Sequence, residues 1–149
     1  SEALFNDACV VRHNFYRWQE AKPGLVTDLD LVTFAQKRAN ELSEKCGFDH
    51  EGNKGSGYGE NLAAGYRTCE KVVDAWYNEK KDYTEPKFTP KVGHYTQLIW
   101  KSTKKIGCAT APHCKFGSVT VCNYYPPGNM YGQFEENAPV KSRKKFREV

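Results

Sequence analysis

The sequence has one methionine and no apolar run near the ~20 residues a helix needs to cross a bilayer, so nothing in it reads as a membrane span. It opens at Ser1 with neither a basic n-region nor an apolar h-region, and the expectation is a mature product whose signal peptide has been removed. No internal repeat is visible. Gly52, Gly55, Gly57, Gly59 and Gly65 invite thoughts of phosphate, but no G-x-x-x-x-G-K-[ST] or strand–GxGxxG–helix context exists, which excludes the common nucleotide cradles. There is no H-E-x-x-H spacing for a zinc hydrolase and no G-x-S-x-G elbow to activate Ser102 or Thr103. A basic stripe within the body is also lacking, so nucleic acid is not an expected partner.

What is present suits one folded domain. A chain of 149 residues buries roughly 68–70% of its unfolded surface, and 39% hydrophobic with 13% aromatic residues supplies a core. The net charge is +4. Basic residues gather at the end, where Lys141, Arg143, Lys144, Lys145 and Arg147 set residues 141–149 apart from a domain over 1–140 as a flexible tail. Such a tail is a solvated terminus or a weak anchor for an anionic lipid surface. Six cysteines in so short a chain point to an oxidising, extracellular setting and to disulfides rather than nucleophilic thiols.

Leu4, Ala8, Val11, Phe15 and Trp18 recur at helical spacing, with His13, Asn14 and Arg17 beside the stripe, and Lys22-Pro23-Gly24 ends the helix. His13 reads as a structural hydrogen-bonding group to a loop backbone. Thr27 and Asp30 resemble a capping box before a second helix bearing Leu31, Ala35, Ala39, Leu42 and Cys46, with Gly47 as its C-terminal cap. Phe48 to Tyr66 reads as a loop with a short strand at its start. A third helix spans Thr68 to Tyr83 with Val72, Trp76, Glu79 and Tyr83 on one stripe, and Glu79 is the anomaly there because a carboxylate on an apolar face needs a partner. Lys105–Thr110 and Ser118–Tyr124 form a hairpin centred near Lys115, which sets Cys108 opposite Cys122. Helices followed by a late antiparallel hairpin make an α+β layered domain.

His50, His94, Glu60 and Glu79 are the candidates for chemistry. Two imidazoles and two carboxylates suit zinc or another divalent cation, or an acid–base pair, or a buried polar network holding loops to a helix. The aromatics between Trp76 and Trp100 are mostly core. Tyr83 and Phe88, around Pro86, form a surface cluster able to line an apolar ligand site.

Several ordered motifs then resemble the CAP superfamily, the cysteine-rich secretory, antigen 5 and pathogenesis-related 1 proteins. GHYTQLIW at Gly93–Trp100 and VCNYYPPGN at Val121–Asn129 are similar to its two signatures. GENLAAG at Gly59–Gly65, HNFYR at His13–Arg17 and AWYNEKKDY at Ala75–Tyr83 also fit. The resemblance runs from Leu4 to Ala138, and within the family it is to single-domain fungal sterol-binding members. It implies a three-layer α-β-α sandwich with a small antiparallel sheet, and a cleft of His50, Glu60, Glu79 and His94 that binds zinc or another divalent ion in some members. It also implies the disulfides Cys108–Cys122, Cys46–Cys114 and Cys9–Cys69. Family members bind sterols through an aromatic loop, matched here by Tyr83 to Phe88 with its middle aromatic missing, and some bind fatty acids between two helices.

The reading these features support is a secreted, non-enzymatic carrier of a sterol or fatty acid, with apolar contact from the loop between Tyr83 and Val92. The alternatives are an effector, immunomodulatory or defence protein acting on a host protein, and a metal-dependent hydrolase using a glutamate as base.

Overall fold

The computed structural model describes residues 1–141. Of the basic tail, only Lys141 lies within them, where its ammonium pairs with Glu20 at 3.1 Å; Arg143 and the rest are outside the described residues.

The elements in chain order are α1 (Glu2–Gln19), β1 (Val26–Thr27), α2 (Leu29–Lys45), β2 (Gly59–Ala64), α3 (Cys69–Asn78), α4 (Gly93–Ile99), β3 (Lys105–His113), β4 (Gly117–Tyr125) and α5 (Phe134–Asn137). The strands form one sheet in the order β1-β3-β4-β2. Its β3–β4 and β4–β2 pairings are antiparallel, but β1 runs parallel to β3, so the expected antiparallel sheet is a mixed one. Alternate side chains of the strands face two cores. Leu62, Ala109, Ala111, Val119 and Val121 meet Ala35, Ala39 and Leu42 of α2. Ile106, Cys108, Cys122 and Tyr124 meet Cys9, Val72, Trp76, Tyr95, Leu98 and Trp100 from the helices opposite. This is an α+β, three-layer α-β-α sandwich.

The hairpin register sets Cys108 against Cys122, as its expected centre requires. The three disulfides are Cys9–Cys69, Cys46–Cys114 and Cys108–Cys122. They tie α1 to α3, the end of α2 to the hairpin tip, and β3 to β4.

Five local expectations are corrected. The apolar row of α1 does not face the core: Leu4, Val11 and Trp18 are 69%, 70% and 77% exposed, and the buried side carries Asn6, Cys9, His13 and Arg17. A polar face can be buried when every group on it is bonded. Here Asn6 donates to Thr27 Oγ1 and accepts from the Cys108 amide, and the Arg17 guanidinium donates to the carbonyls of Pro23, Leu98, Trp100 and Thr103. At α2 the cap is Asp28, which accepts from the Asp30 and Leu31 amides, while the Thr27 hydroxyl is taken by Asn6. Cys46, not Gly47, takes the left-handed conformation that ends α2. The strand in the glycine-rich segment lies at its end, in Gly59–Ala64, because pairing with β4 supplies the ladder that local propensity does not. α3 is shorter than expected, and Glu79–Asp82 form a 3₁₀ turn instead of its last turn.

Gly107 on β3 is where α2 crosses closest: a Cβ there would collide with the Leu31 carbonyl carbon and the Val32 amide. Backbone cannot yield as a flexible side chain does. Gly107→Ala is therefore expected to lower stability by about 1–3 kcal/mol, read as a reduced denaturant midpoint at unchanged slope.

Candidate functional site

Glu60 stands on the edge strand β2, opposite Asn123 of β4. Its carboxylate is almost wholly buried and accepts four hydrogen bonds. Arg38 of α2 donates through Nε and Nη2, each at 2.9 Å, Asn123 Nδ2 donates at 3.0 Å, and His50 Nδ1 lies at 2.8 Å. Burial pushes the carboxyl pKa up, but the bonds from His50, Arg38 and Asn123 and the guanidinium charge outweigh it, and the net shift is downward. A carboxylate accepts, so Nδ1 of His50 carries the proton and the lone pair of the neutral ring is on Nε2. Arg38 Nη2 also holds the Asp49 carbonyl at 2.7 Å, fixing the backbone one residue before His50.

The second pair is built in the same way. Glu79, at the junction of α3 and the 3₁₀ turn, accepts from His94 Nδ1 at 2.7 Å and from the Tyr95 amide at 2.9 Å. Its anomalous place on the apolar stripe is thereby explained. The His94 ring stacks on Trp76 at 5.7 Å and 14°, and Asn61 donates to the His94 carbonyl at 3.1 Å. His94 also has its lone pair on Nε2.

The structure thus joins the four predicted residues as two His–Glu pairs, His50–Glu60 and His94–Glu79, on either side of β2. Glu60 reaches toward α2, while its neighbour Asn61 reaches toward α4. Glu60 spends its oxygens on His50, Arg38 and Asn123, and Glu79 spends its own on His94 and the Tyr95 amide. Among the described residues, the triplets of metal-ligating atoms within 4.8 Å of each other all contain disulfide cysteines, so no three of His50, Glu60, Glu79 and His94 converge that closely. The donor set nonetheless fits a divalent cation: each imidazole has its Nδ1 proton on a carboxylate, the usual outer-shell partner of a ligating histidine. His50 and His94 would hold the ion through Nε2, with Glu60 and Glu79 behind them.

His13 lies apart from the pairs. Its Nδ1 faces the Cys9 carbonyl at 2.8 Å and must donate, so Nε2 accepts from the Tyr124 hydroxyl, also at 2.8 Å. Its partners are a helix carbonyl and a tyrosine rather than the expected loop backbone. Asn61 donates to the Tyr124 oxygen as well as to His94, so one buried chain of polar groups runs from α1 through the sheet to the second pair.

Of the two residues expected to line a lipid site, Tyr83 is not on the surface. It is 7% exposed, packs on Tyr95, and donates its hydroxyl to the Ala138 carbonyl. Phe88 remains 53% exposed against Gly93. The cavity of about 230 Å³ in that loop is lined by mostly polar groups, among them Asp82, Thr84, Glu85, Lys87 and Thr89. A cavity of about 360 Å³ lies instead along the outward row of α1, bounded by Asp7, Ala8, Val11, Arg12, Phe15 and Glu70. Arg12 at its rim is held by Asp74 through two bonds, at 2.8 and 3.1 Å.

The profile of the "Cysteine-rich secretory protein family" matches residues 10–124. The chain belongs to this family, the CAP family. It is 39% identical to "Protein PRY2" of Saccharomyces cerevisiae over 138 residues, which are 89% of this chain and 40% of that protein. It is 37% identical to "Golgi-associated plant pathogenesis-related protein 1" of Homo sapiens over 140 residues, 89% of this chain and 91% of that protein. A third relative, "Pathogenesis-related protein 1C" of Nicotiana tabacum, is 35% identical over 128 residues, 81% and 74% of the two chains. The chain spans less than half the length of PRY2 and of a Candida albicans relative, 40% and 49%. Among solved structures, Schistosoma mansoni venom allergen-like protein 4 superposes with a TM-score of 0.69 at 24% identity, covering 91% of this chain and 96% of that one. "NaASP2 with Zn2+" gives 0.66 at 24% identity over 83% and 80%, and both show the shared fold. The family, relatives named as secreted proteins and the three disulfides place the chain among secreted proteins.

In this CAP domain the two signature segments bolt onto each other. Thr96 donates to Asn129 Oδ1 at 2.6 Å, Asn129 donates to the Gly93 carbonyl at 3.0 Å, and Gln97 accepts from the Gly128 amide at 2.8 Å. Their contribution is to position α4, and with it His94. Sequence reasoning missed Arg38, Asn61 and Asn123, which hold the pairs. Arg38 alone left a signal, as a charge between Ala35 and Ala39 on the apolar stripe of α2.

The buried His13 gives an acid-sensitive step. Burial, reinforced by the charge of Arg17 and opposed by the Cys9 carbonyl, lowers its pKa from 6.5 to about 4. The unfolded chain therefore takes up the proton first, and the contribution of neutral His13 is complete above about pH 6.5 and lost as pH falls toward 4. Glu20 and Glu60, whose pKa values are lowered from 4.5, act only below that range. Urea unfolding is expected to show stability falling between pH 6.5 and 4.5, by on the order of 2–3 kcal/mol. A flat profile there would contradict the assignment.

Proposed function

We propose that this chain is a secreted, non-enzymatic lipid-binding module whose ligand is a sterol-like neutral lipid held on the outward face of α1. The observation that carries the reading is the exposed apolar row Leu4, Val11, Phe15 and Trp18 with its cavity of about 360 Å³. That volume is within the usual range for small-molecule sites, and a contiguous exposed apolar patch calls for a partner. The lining discriminates among lipids. Asp7 and Glu70 would repel a fatty carboxylate, and Arg12 is already neutralised by Asp74. A sterol hydroxyl, by contrast, can donate to either acid. The loop from Tyr83 to Val92 contributes less, since Tyr83 is buried and only Phe88 presents an apolar ring.

Val11→Asp and Phe15→Asp alter exposed positions and leave the core alone. Each is expected to weaken sterol binding by about 10-fold or more, the value of burying one such side chain against the ligand, while Phe88→Ala leaves it nearly unchanged. Wild-type protein that takes up no sterol would remove the reading. Loss of binding in Phe88→Ala alone would move the site to the loop.

The paired histidines favour a second, separate property: binding of a divalent cation such as zinc at His50 and His94. The hydrolase reading gains nothing from the geometry, because Glu60 carries four hydrogen bonds and a lowered pKa, the opposite of a poised base. When bound, the ion would cross-link the two sides of β2. Zinc titration is expected to show a single site, lost in His94→Ala and weakened roughly 10–100-fold in Glu79→Gln. Unchanged zinc affinity in both variants would exclude this site.

A further inference from the structure

At the hairpin tip, Cys46, His113 and Cys114 bring one ligand atom each within 4.8 Å of the others. Cys46 ends α2 in the left-handed conformation, His113 closes β3, and Cys114 begins the turn. The histidine is set as a ligand would be. The Lys115 amide donates to Nδ1 at 3.2 Å, so Nδ1 holds the lone pair, and Nε2–H donates to the Gly47 carbonyl at 2.8 Å. Anchoring the far nitrogen on a backbone carbonyl is what the outer shell of a ligating histidine does. Phe116 stacks on the ring at 5.1 Å and 23°, which fixes its plane.

This disulfide differs from its companions in access. Cys9, Cys69, Cys108 and Cys122 are no more than 1% exposed, whereas Cys114 is exposed and Cys46 half-buried. Thiol–disulfide exchange requires a thiolate to reach a sulfur, so reduction is directed to this pair.

We infer that, once the Cys46–Cys114 disulfide is reduced, Cys46, Cys114 and His113 form a binding site for zinc or a similarly thiophilic divalent cation. The reductant is a dithiol. One of its thiolates attacks the Cys114 sulfur, the S–S bond breaks, and Cys46 leaves as thiolate. The second thiol resolves the mixed disulfide, so the reductant ends as a disulfide and two electrons and two protons have passed to the cysteines. The incoming cation displaces the two thiol protons and takes the Nδ1 lone pair from the Lys115 amide, which is released to solvent, and water completes a tetrahedral shell on the exposed side. Zn–S bonds of about 2.3 Å put two sulfurs roughly 3.7 Å apart, a span that the 5.7 Å Cα–Cα separation of Cys46 and Cys114 accommodates. The cation then replaces the covalent link between α2 and the hairpin tip. The site shares no residue with the α1 face or with His50 and His94.

The test uses the full chain carrying His50→Ala and His94→Ala, which silences the other candidate site. Limited dithiol treatment followed by alkylation and peptide mass analysis is expected to find thiols at Cys46 and Cys114 and at no other cysteine. After removal of the reductant, cobalt is expected to bind one per chain with a thiolate-to-metal charge-transfer band, and zinc to displace it. The oxidised protein shows neither. Adding His113→Gln is expected to weaken zinc by more than the roughly 10–100-fold that loss of an outer-shell partner costs, with the same two thiols still formed. A reduced chain without the charge-transfer band overturns the inference. So does one whose zinc affinity ignores His113→Gln, and so does one that unfolds on reduction and is not restored by zinc.

Discussion

The guanidinium of Arg17 is buried from water, and its charge is met by four backbone carbonyls rather than a carboxylate, with Nη1 alone donating to Leu98 and Trp100 at 3.1 and 2.8 Å. Desolvation, partly offset by Tyr124, lowers its pKa to about 10, so it stays charged at neutral pH. An uncompensated buried charge costs several kcal/mol, so α1 has one acceptable rotation about its axis: polar side in, with Asn6 and His13 satisfied in the same plane. The apolar row must then face out. A core requirement at one end of the domain thereby creates an apolar surface on its outside, and the lipid reading follows from that surface.

The same economy governs the other side of the molecule. Arg38 and Glu60 have side chains only 2% and 1% exposed and form a bidentate pair, which Asn123 completes. A buried pair adds little net stability against apolar residues of the same size, but it specifies geometry. Here it holds the ring of His50 and the backbone before it, while Glu79, from the other face of β2, holds the ring of His94 and the backbone amide after it. The histidines are thus positioned by groups that are themselves immobilised, which is the condition for a cation site with a defined shape.

Parts of this were readable from the chain. The hairpin register was, because two cysteines equidistant from its centre must face each other. Glu79 was, because a carboxylate among Val72, Trp76 and Tyr83 demands a partner, and His94 answers. The face of α1 was not, since periodicity records where apolar residues recur and cannot tell that His13 will meet the Tyr124 hydroxyl, or Arg17 the carbonyls of Leu98, Trp100 and Thr103, all from segments 80 or more residues away. Gly59–Ala64 was hidden for a related reason: glycine and alanine carry no strand propensity, and β4 makes the strand. Tyr83 looked like a surface aromatic beside Pro86 until the Ala138 carbonyl arrived from the far end of the domain to receive its hydroxyl.

The account stands or falls on which surface meets the lipid. Backbone and methyl NMR shifts of the full chain, recorded with and without a saturating sterol, locate that contact directly. The account predicts perturbations centred on Ala8, Val11, Phe15 and Glu70, with residues 83–92 nearly silent. Perturbations confined to 83–92, or none anywhere on α1, would contradict it.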